Sequence, residues 1–204
     1  MIADIYLQRI HALLASGSRR VLGIVGPPGS GKSTLAQQLA EAFGDKVVVV
    51  PMDGYHLANA ELARLGRADR KGAQDTFDSA GYVALLRRLK ANAPEETVYA
   101  PHFERLLEEP IAGAIAVPST IRLVITEGNY LLLQQGPWAQ VKALLDEVWY
   151  VDVDSTLRQS RLIERHVRFG RTADAARVWV DNTDEPNARL IEATAVRADL
   201  IFKW

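Results

Sequence analysis

The sequence contains no cysteine, and this absence excludes disulfide bonds, thiolate metal sites and cysteine nucleophiles. It also lacks a long apolar run, since Val47–Met52 and Ile111–Val117 are far shorter than the ~20 residues that span a bilayer. Asp4 stands where a signal peptide would carry basic residues. We therefore expect a cytoplasmic protein without a membrane partner.

An excess of charge of either sign is missing as well. The chain has 24 Lys and Arg against 25 Asp and Glu, so its net charge is −1, and a nucleic-acid partner is not expected. Its four histidines show no H-E-x-x-H spacing, so no transition-metal site is indicated. The length of 204 residues with 48% hydrophobic residues predicts one domain, residues 1–204, with a single core. The sequence is compatible with either a monomer or a homo-oligomer.

Short apolar runs alternate with segments of helical periodicity along the chain. The runs that predict strands of the main sheet are Arg20–Val25, Val47–Val50, Arg122–Thr126, Val148–Val153 and Leu200–Lys203. Helical spacing covers residues 2–16, 35–43, 57–65, 79–92, 156–169, 173–180 and 187–195. Two further strand candidates, Val98–Phe103 and Ala112–Val117, flank a turn at Glu108–Pro110. The alternation predicts an α/β fold: a five-stranded parallel sheet with helices on both faces, plus a short β insertion.

The strongest motif directly follows the first predicted strand. Gly26, Pro27, Pro28, Gly29, Ser30, Gly31, Lys32, Ser33 and Thr34 fit the pattern G-x-x-x-x-G-K-[ST]. Glycines let the backbone turn its N–H groups onto phosphate oxygens, and the helix that starts there adds its positive dipole end. Lys32 is expected to reach the β- and γ-phosphates, and the Ser33 hydroxyl to bind Mg²⁺. The motif predicts a nucleoside triphosphate site.

Two carboxylates are placed to act beside that triphosphate. Asp53 follows the second predicted strand of the main sheet and Glu127 follows the third, and a glycine comes next in both cases. Ligands of parallel sheets bind at the carboxyl ends of strands. A carboxylate there is repelled by phosphate unless it binds Mg²⁺ or accepts a proton, so metal and base roles are favoured over a mere turn.

Several segments together resemble one family of phosphate-loop kinases. They are Gly26–Thr34, Met52–Leu57, Arg70–Gly72, Asp75–Asp78, Val98–Tyr99 and Glu127–Gly128. The chain looks like the uridine kinase, phosphoribulokinase and bacterial pantothenate kinase family. Within it, Tyr99–Arg105 and the stretch from Asn182 to Ala188 resemble the bacterial proteins labelled fructose transport system kinases.

The resemblance implies a P-loop kinase fold, ATP and Mg²⁺ as cofactors, and roles for individual residues. Asp53 would be the base toward the acceptor hydroxyl, with a share in metal binding, and Glu127 would assist Mg²⁺. Asn187, which follows Pro186, would flank the adenine.

One predicted helix is rich in arginine. Arg158, Arg161, Arg165 and Arg168 fall within an arc of about 80° at ~100° per residue. Such clustering favours an anionic partner, so we predict a lid over residues 156–180 that closes on the phosphates. Arg161 and Arg165 are predicted to be catalytic and Arg168 to bind nucleotide. The alternative is a solvated face, with Glu164 paired to Arg168. An arginine-bearing lid in the resembled family agrees with the first interpretation.

Acceptor contacts are expected from the predicted insertion, residues 54–120, and from one strand end. The candidates are Tyr55, His56, His102, Phe103, Arg105 and Asn129, which adjoin strand ends or the inserted segment. The alternative for Phe103 is a core position. Arg105 could instead pair with a neighbouring glutamate. His11 and His166 carry no functional signal. The four tryptophans are expected in the core rather than as stacking platforms.

The chain is therefore interpreted as an ATP-dependent kinase that phosphorylates a hydroxyl of a small metabolite. The resemblance favours a sugar such as fructose, with a nucleoside or pantothenate as alternatives. A nucleotide-switch ATPase without a small-molecule acceptor is the alternative of another class. It is disfavoured because N-K-x-D and L-S-G-G-Q motifs are absent.

Overall fold

A computed structural model describes residues 2–204, so Met1, the first residue of the predicted domain, lies outside the described part. The strands are β1 (Arg20–Val25), β2 (Val47–Val49), β3 (Val98–Glu104), β4 (Glu109–Val117), β5 (Leu123–Gly128), β6 (Glu147–Asp152) and β7 (Leu200–Lys203). The helices are α1 (Asp4–Leu14), α2 (Lys32–Phe43), α3 (Asn59–Arg64), α4 (Ser79–Ala91), α5 (Ser155–Arg168), α6 (Ala173–Trp179) and α7 (Glu185–Glu192). A π-helical turn, Val180–Asp184, joins α6 to α7.

The main sheet has five parallel strands in the order β2-β5-β1-β6-β7, which confirms the predicted fold class. Register places Glu127 opposite Ile24 and Gly128 opposite Val25. Because β5 lies between β1 and β2, the loops that follow these three strands emerge side by side at one edge. The phosphate-binding motif and both predicted acids therefore meet there.

Helices cover both faces of this sheet, as predicted. One face packs on α1 and α2 through a cluster that includes Ile10, Leu35 and Leu39. The opposite face packs on α4 and α7 through a cluster that includes Tyr82 and Ile191. Burial of these apolar stripes, rather than local helix propensity, holds the helices in place.

Several boundaries differ from the sequence prediction. Strand β5 continues to Gly128, because Glu127 and Gly128 still pair with β1, so Glu127 lies within the end of the strand rather than after it. The β3–β4 turn lies at residues 105–108, because β4 begins at Glu109, which pairs with Glu104. The Glu109 carboxylate also accepts the backbone N–H of Asn59 at 3.0 Å, a long-range contact that strand periodicity does not reveal. Helix α7 begins two residues before the predicted 187, since Pro186 occupies its first turn, where no N–H is needed.

Across residues 2–204, no helix combines the length and the apolar character needed to cross a bilayer.

Candidate active site

The phosphate-binding motif forms the turn between β1 and α2. Gly29 and Gly31 have φ angles of +79° and +90°, which side chains disfavour. The Lys32 ammonium donates a hydrogen bond to the Pro27 carbonyl at 3.1 Å. Burial lowers the pKa of Lys32 to about 8, while the charges of Glu127 and Asp53 act in the opposite direction. The Lys32 ammonium is thus held over the phosphate loop, and its two other N–H groups are left to bind an anion.

Ser33 and Glu127 meet at the first turn of α2. The Ser33 hydroxyl donates to Glu127 Oε1 at 2.8 Å. Burial, followed by the charge of Asp53, raises the pKa of Glu127, and Lys32 and the Ser33 hydrogen bond offset part of that rise. Within residues 2–204 no group of three or more acidic or histidine side chains forms a metal site. A hydroxyl and one carboxylate fit Mg²⁺, which takes oxygen ligands and completes its shell with waters and phosphates.

Two glycines let Asp53 come close to Glu127 and to the insertion. A Cβ on Gly128 would lie 2.6 Å from Met52 Cβ, and one on Gly54 would lie 2.3 Å from the Pro101 carbonyl oxygen. Both distances are below any ordinary contact. The short turn that carries Asp53, Met52–Tyr55, is therefore clamped between β5 and the β3–β4 hairpin.

The part of the cleft beyond Asp53 is formed by the insertion and includes His56, Phe77, Phe103 and Arg105; we call it the acceptor wing. His56 Nδ1 lies 2.7 Å from the Asp53 carbonyl oxygen, and its ring packs between Phe77 and Phe103 at 4.0 and 4.5 Å. Burial lowers the pKa of His56, so a neutral imidazole is favoured. Arg105 Nη2 lies 3.6 Å from Asp53 Oδ2. This wing presents polar groups on an aromatic floor, a surface suited to a small polar molecule.

The arginine helix α5 divides into two parts. Arg161 and Arg165 line the cleft, and burial, followed by repulsion from Arg105, lowers the pKa of Arg165. Arg158 does not face the cleft, contrary to the grouping by helical arc. It is 1% exposed and pairs with Glu185 at 2.6 Å. A Cβ on Gly29 would lie 2.9 Å from the backbone carbonyl oxygen of Arg158, so the start of α5 is packed on the phosphate loop.

One open cleft of about 760 Å³ joins most of the predicted site. Its lining includes Pro28, Gly29, Gly31, Lys32, Ser33, Thr34, Asp53, His56, Arg105, Glu127, Asn129, Arg161, Arg165 and Asn187. Gly26, Pro27 and Ser30 lie buried beneath the loop instead.

Three further predicted contacts, besides Gly26, Pro27 and Ser30, do not line the cleft. The Tyr55 ring is partly buried and packs edge-on against Tyr82, a core residue, at 5.6 Å. His102 is exposed on β3, because a register shift between Ala100 and His102 interrupts the alternation, so that Phe103 is buried instead. Arg168 is exposed at the end of α5. Asn187 lines the cleft, but its side-chain oxygen lies 3.2 Å from the Tyr130 hydroxyl, which also donates to the Gly72 carbonyl. It therefore stands beside the insertion.

Sequence reasoning missed several residues of the cleft. His166, assigned no role, bonds to Asp184 at 2.8 Å, and Trp179 carries the Arg171 guanidinium 4.0 Å above its ring. Trp204, expected in the core, is 50% exposed and lines the cleft. Trp204 directly follows the strand Leu200–Lys203, and its place at a strand's carboxyl end was a signal that could have found it.

Comparison with known proteins identifies the family. The model of the Phosphoribulokinase / Uridine kinase family matches residues 21–204, and the chain belongs to this family. The chain is similar to the Schizosaccharomyces pombe protein "Putative uridine kinase C227.14", with 34% identity over 98% of this chain and 89% of that one. It is also similar to a pantothenate kinase of Leifsonia xyli, with 30% identity over 90% of this chain and 65% of that one.

Among solved structures, the chain resembles a "putative fructose transport system kinase" from Silicibacter sp. TM1040. The TM-score is 0.89 at 38% identity, and the match covers 99% of both chains. The protein is a P-loop kinase of the uridine kinase, phosphoribulokinase and pantothenate kinase type, a phosphotransferase that uses ATP and a hydroxyl acceptor. The predicted family is confirmed.

Proposed function

We propose that this kinase transfers the γ-phosphate of ATP, with Mg²⁺, to a hydroxyl of a small metabolite, and that the acceptor is a sugar such as fructose. The observation that carries the transfer chemistry is the meeting of Asp53, Glu127, Ser33 and Lys32 where the phosphate loop adjoins the acceptor wing. The sugar rests on the likeness to the Silicibacter kinase. A nucleoside or pantothenate is the alternative acceptor, in keeping with the other relatives.

Each residue has a defined task in this proposal. Asp53 takes the proton from the acceptor hydroxyl as its oxygen forms a bond to the γ-phosphorus and the bond to ADP breaks. Lys32, Arg161 and Arg165 neutralise charge on the phosphate oxygens. Ser33 and Glu127 would hold Mg²⁺, which would neutralise phosphate charge when bound. His56, Arg105 and Asn129 orient the acceptor.

Acceptor dependence tests the class of reaction. ADP formation should be measured without acceptor and with fructose, uridine and pantothenate in turn. A kinase should form ADP many times faster with its acceptor, and the phosphorylated product should be detectable by mass spectrometry. Equal ADP formation with and without every acceptor would instead favour the ATPase-switch interpretation.

Two amide variants test the division of labour between the acids. Asp53→Asn should lower kcat by about 10²- to 10⁴-fold while ATP still binds, because only proton transfer is lost. Glu127→Gln should raise the Mg²⁺ concentration needed for half-maximal rate, with partial rescue at high Mg²⁺. The amides conserve volume, so folding should be retained. Rescue of Asp53→Asn by Mg²⁺, together with an inactive Glu127→Gln, would reverse the two roles.

A further inference from the structure

Trp204 is fixed against the phosphate loop by three contacts. Its indole Nε1–H donates to the Ser30 carbonyl at 2.9 Å. Its ring lies against Gly31, where a Cβ would come within 3.0 Å of two ring atoms. The Phe202 ring meets it edge-on, with centroids 5.3 Å apart and planes at 86°. The indole is therefore held in one orientation relative to the loop that would receive the phosphates.

Trp204 as a residue is nevertheless 50% exposed, and it lines the same cleft as Lys32, Ser33 and Thr34. An aromatic side chain anchored by its polar edge and left open elsewhere offers an apolar surface for stacking. With phosphates on the loop, the ribose and base of a nucleotide must lie beyond the α-phosphate. They need such a surface close to the loop.

The other aromatic rings that line the cleft in the described chain are placed for different tasks. Phe77 and Phe103 enclose His56 in the acceptor wing. Trp179 is covered by the guanidinium of Arg171. Trp204 is thus the cleft aromatic that both contacts the phosphate loop and keeps open surface.

We propose that the Trp204 indole is the platform on which the nucleotide base stacks, and that it binds purine bases without distinguishing adenine from guanine. This inference rests on the proposed use of ATP at the phosphate loop. The only N–H of the indole is already donated to Ser30, so the ring has no polar group left to read a base edge. Stacking uses the face that every base possesses and tolerates changes of base.

Binding measurements separate this role from mere support of the loop. Dissociation constants of Mg²⁺·ATP, Mg²⁺·GTP and inorganic tripolyphosphate should be measured by calorimetry for the wild type, Trp204→Ala and Trp204→Phe. In Trp204→Ala, the Kd values of ATP and GTP should rise by about tenfold or more, within the range that loss of one stacked base produces. The Kd of tripolyphosphate, which has no base, should change less than twofold. Trp204→Phe should recover most of the affinity, because the phenyl face stacks without the Ser30 bond.

Three results would overturn the proposal. An equal loss of tripolyphosphate affinity would make Trp204 a support of the loop, and no loss for any ligand would leave it without a role in binding. A wild-type preference for ATP over GTP beyond about tenfold would contradict indifferent stacking. If Trp204→Ala fails to fold, the ATP-to-tripolyphosphate ratio in Trp204→Phe and in Trp204→Leu decides, since leucine lacks a stacking face. Binding requires no acceptor, so failure of the proposed phosphorylation would be seen separately.

Discussion

Replacement of Gly54 by alanine should disable phosphoryl transfer without touching a reacting group. The added Cβ would lie 2.3 Å from the Pro101 carbonyl oxygen, about 1 Å closer than an ordinary carbon–oxygen contact. The Cβ is fixed rigidly to the backbone of residue 54 and the Pro101 oxygen is itself backbone, so neither can rotate away. The turn that carries Asp53 and the hairpin that carries Arg105 must therefore separate by about that amount. A displacement of about 1 Å at a catalytic group costs roughly 10²-fold in rate. Overpacking of this kind costs about 1–3 kcal/mol, or about 2–12 °C in Tm at this chain length.

The assay compares kcat/KM, the Kd of ATP and Tm for the wild type, Gly54→Ala and Gly113→Ala. Gly113 lies in the same hairpin with a φ of +68° and nothing within 4 Å of its Cβ position, so its alanine variant should lose about 1–2 kcal/mol through strain alone. We expect Gly54→Ala to lose about 10²-fold in kcat/KM with an unchanged Kd for ATP. Gly113→Ala should keep its activity. If Gly54→Ala stays within threefold of wild-type kcat/KM, the close approach does not position Asp53.

Three further outcomes follow from the site. ATP affinity should fall by up to about tenfold between pH 7 and pH 9, because the pKa of Lys32 is lowered to about 8. The ammonium that attracts phosphate is lost as pH rises through that value. Lys32→Met should bind ATP more weakly, and its ATP affinity measured by calorimetry should not change over this pH range. Arg158→Met should destabilise the fold by about 3–5 kcal/mol, since it strips Glu185 of its buried partner. Addition of Glu185→Gln should restore part of that loss in urea denaturation, whereas additive effects would exclude coupling. Amide hydrogen exchange at residues 161–180 should slow when a Mg²⁺·ATP analogue binds, as a closing lid requires; unchanged exchange there would argue against the lid.

Local patterns in the sequence were sufficient to predict the architecture and the candidate residues at the phosphate end of the cleft. The glycines of the motif, the apolar runs and the acids after two strands are short-range signals, and parallel pairing sends all strand carboxyl ends to one edge. For this reason the main sheet, Lys32, Ser33 and Glu127 could be predicted, and the structure brings them together. The acceptor wing was harder to predict, because its contacts join segments that are distant along the chain. Asn59 and Glu109 are an example.

For some residues, the predicted place in the site depended on which side of a helix or strand faces the cleft. Helical arc alone grouped Arg158 with Arg161 and Arg165, but packing of α5 on the phosphate loop buries Arg158 against Glu185. Strand alternation and a bulge near Ala100 and His102 turn His102 outward, so its nearness to the site in sequence carried no information. For Trp204 two sequence signals disagree, since its residue type predicts a core position and its place after a strand indicates the cleft. The contact of its indole with Ser30 decides for the cleft. Motifs therefore determined the kinase family and the candidate phosphate-binding residues, whereas packing between distant segments decided which other side chains line the cleft.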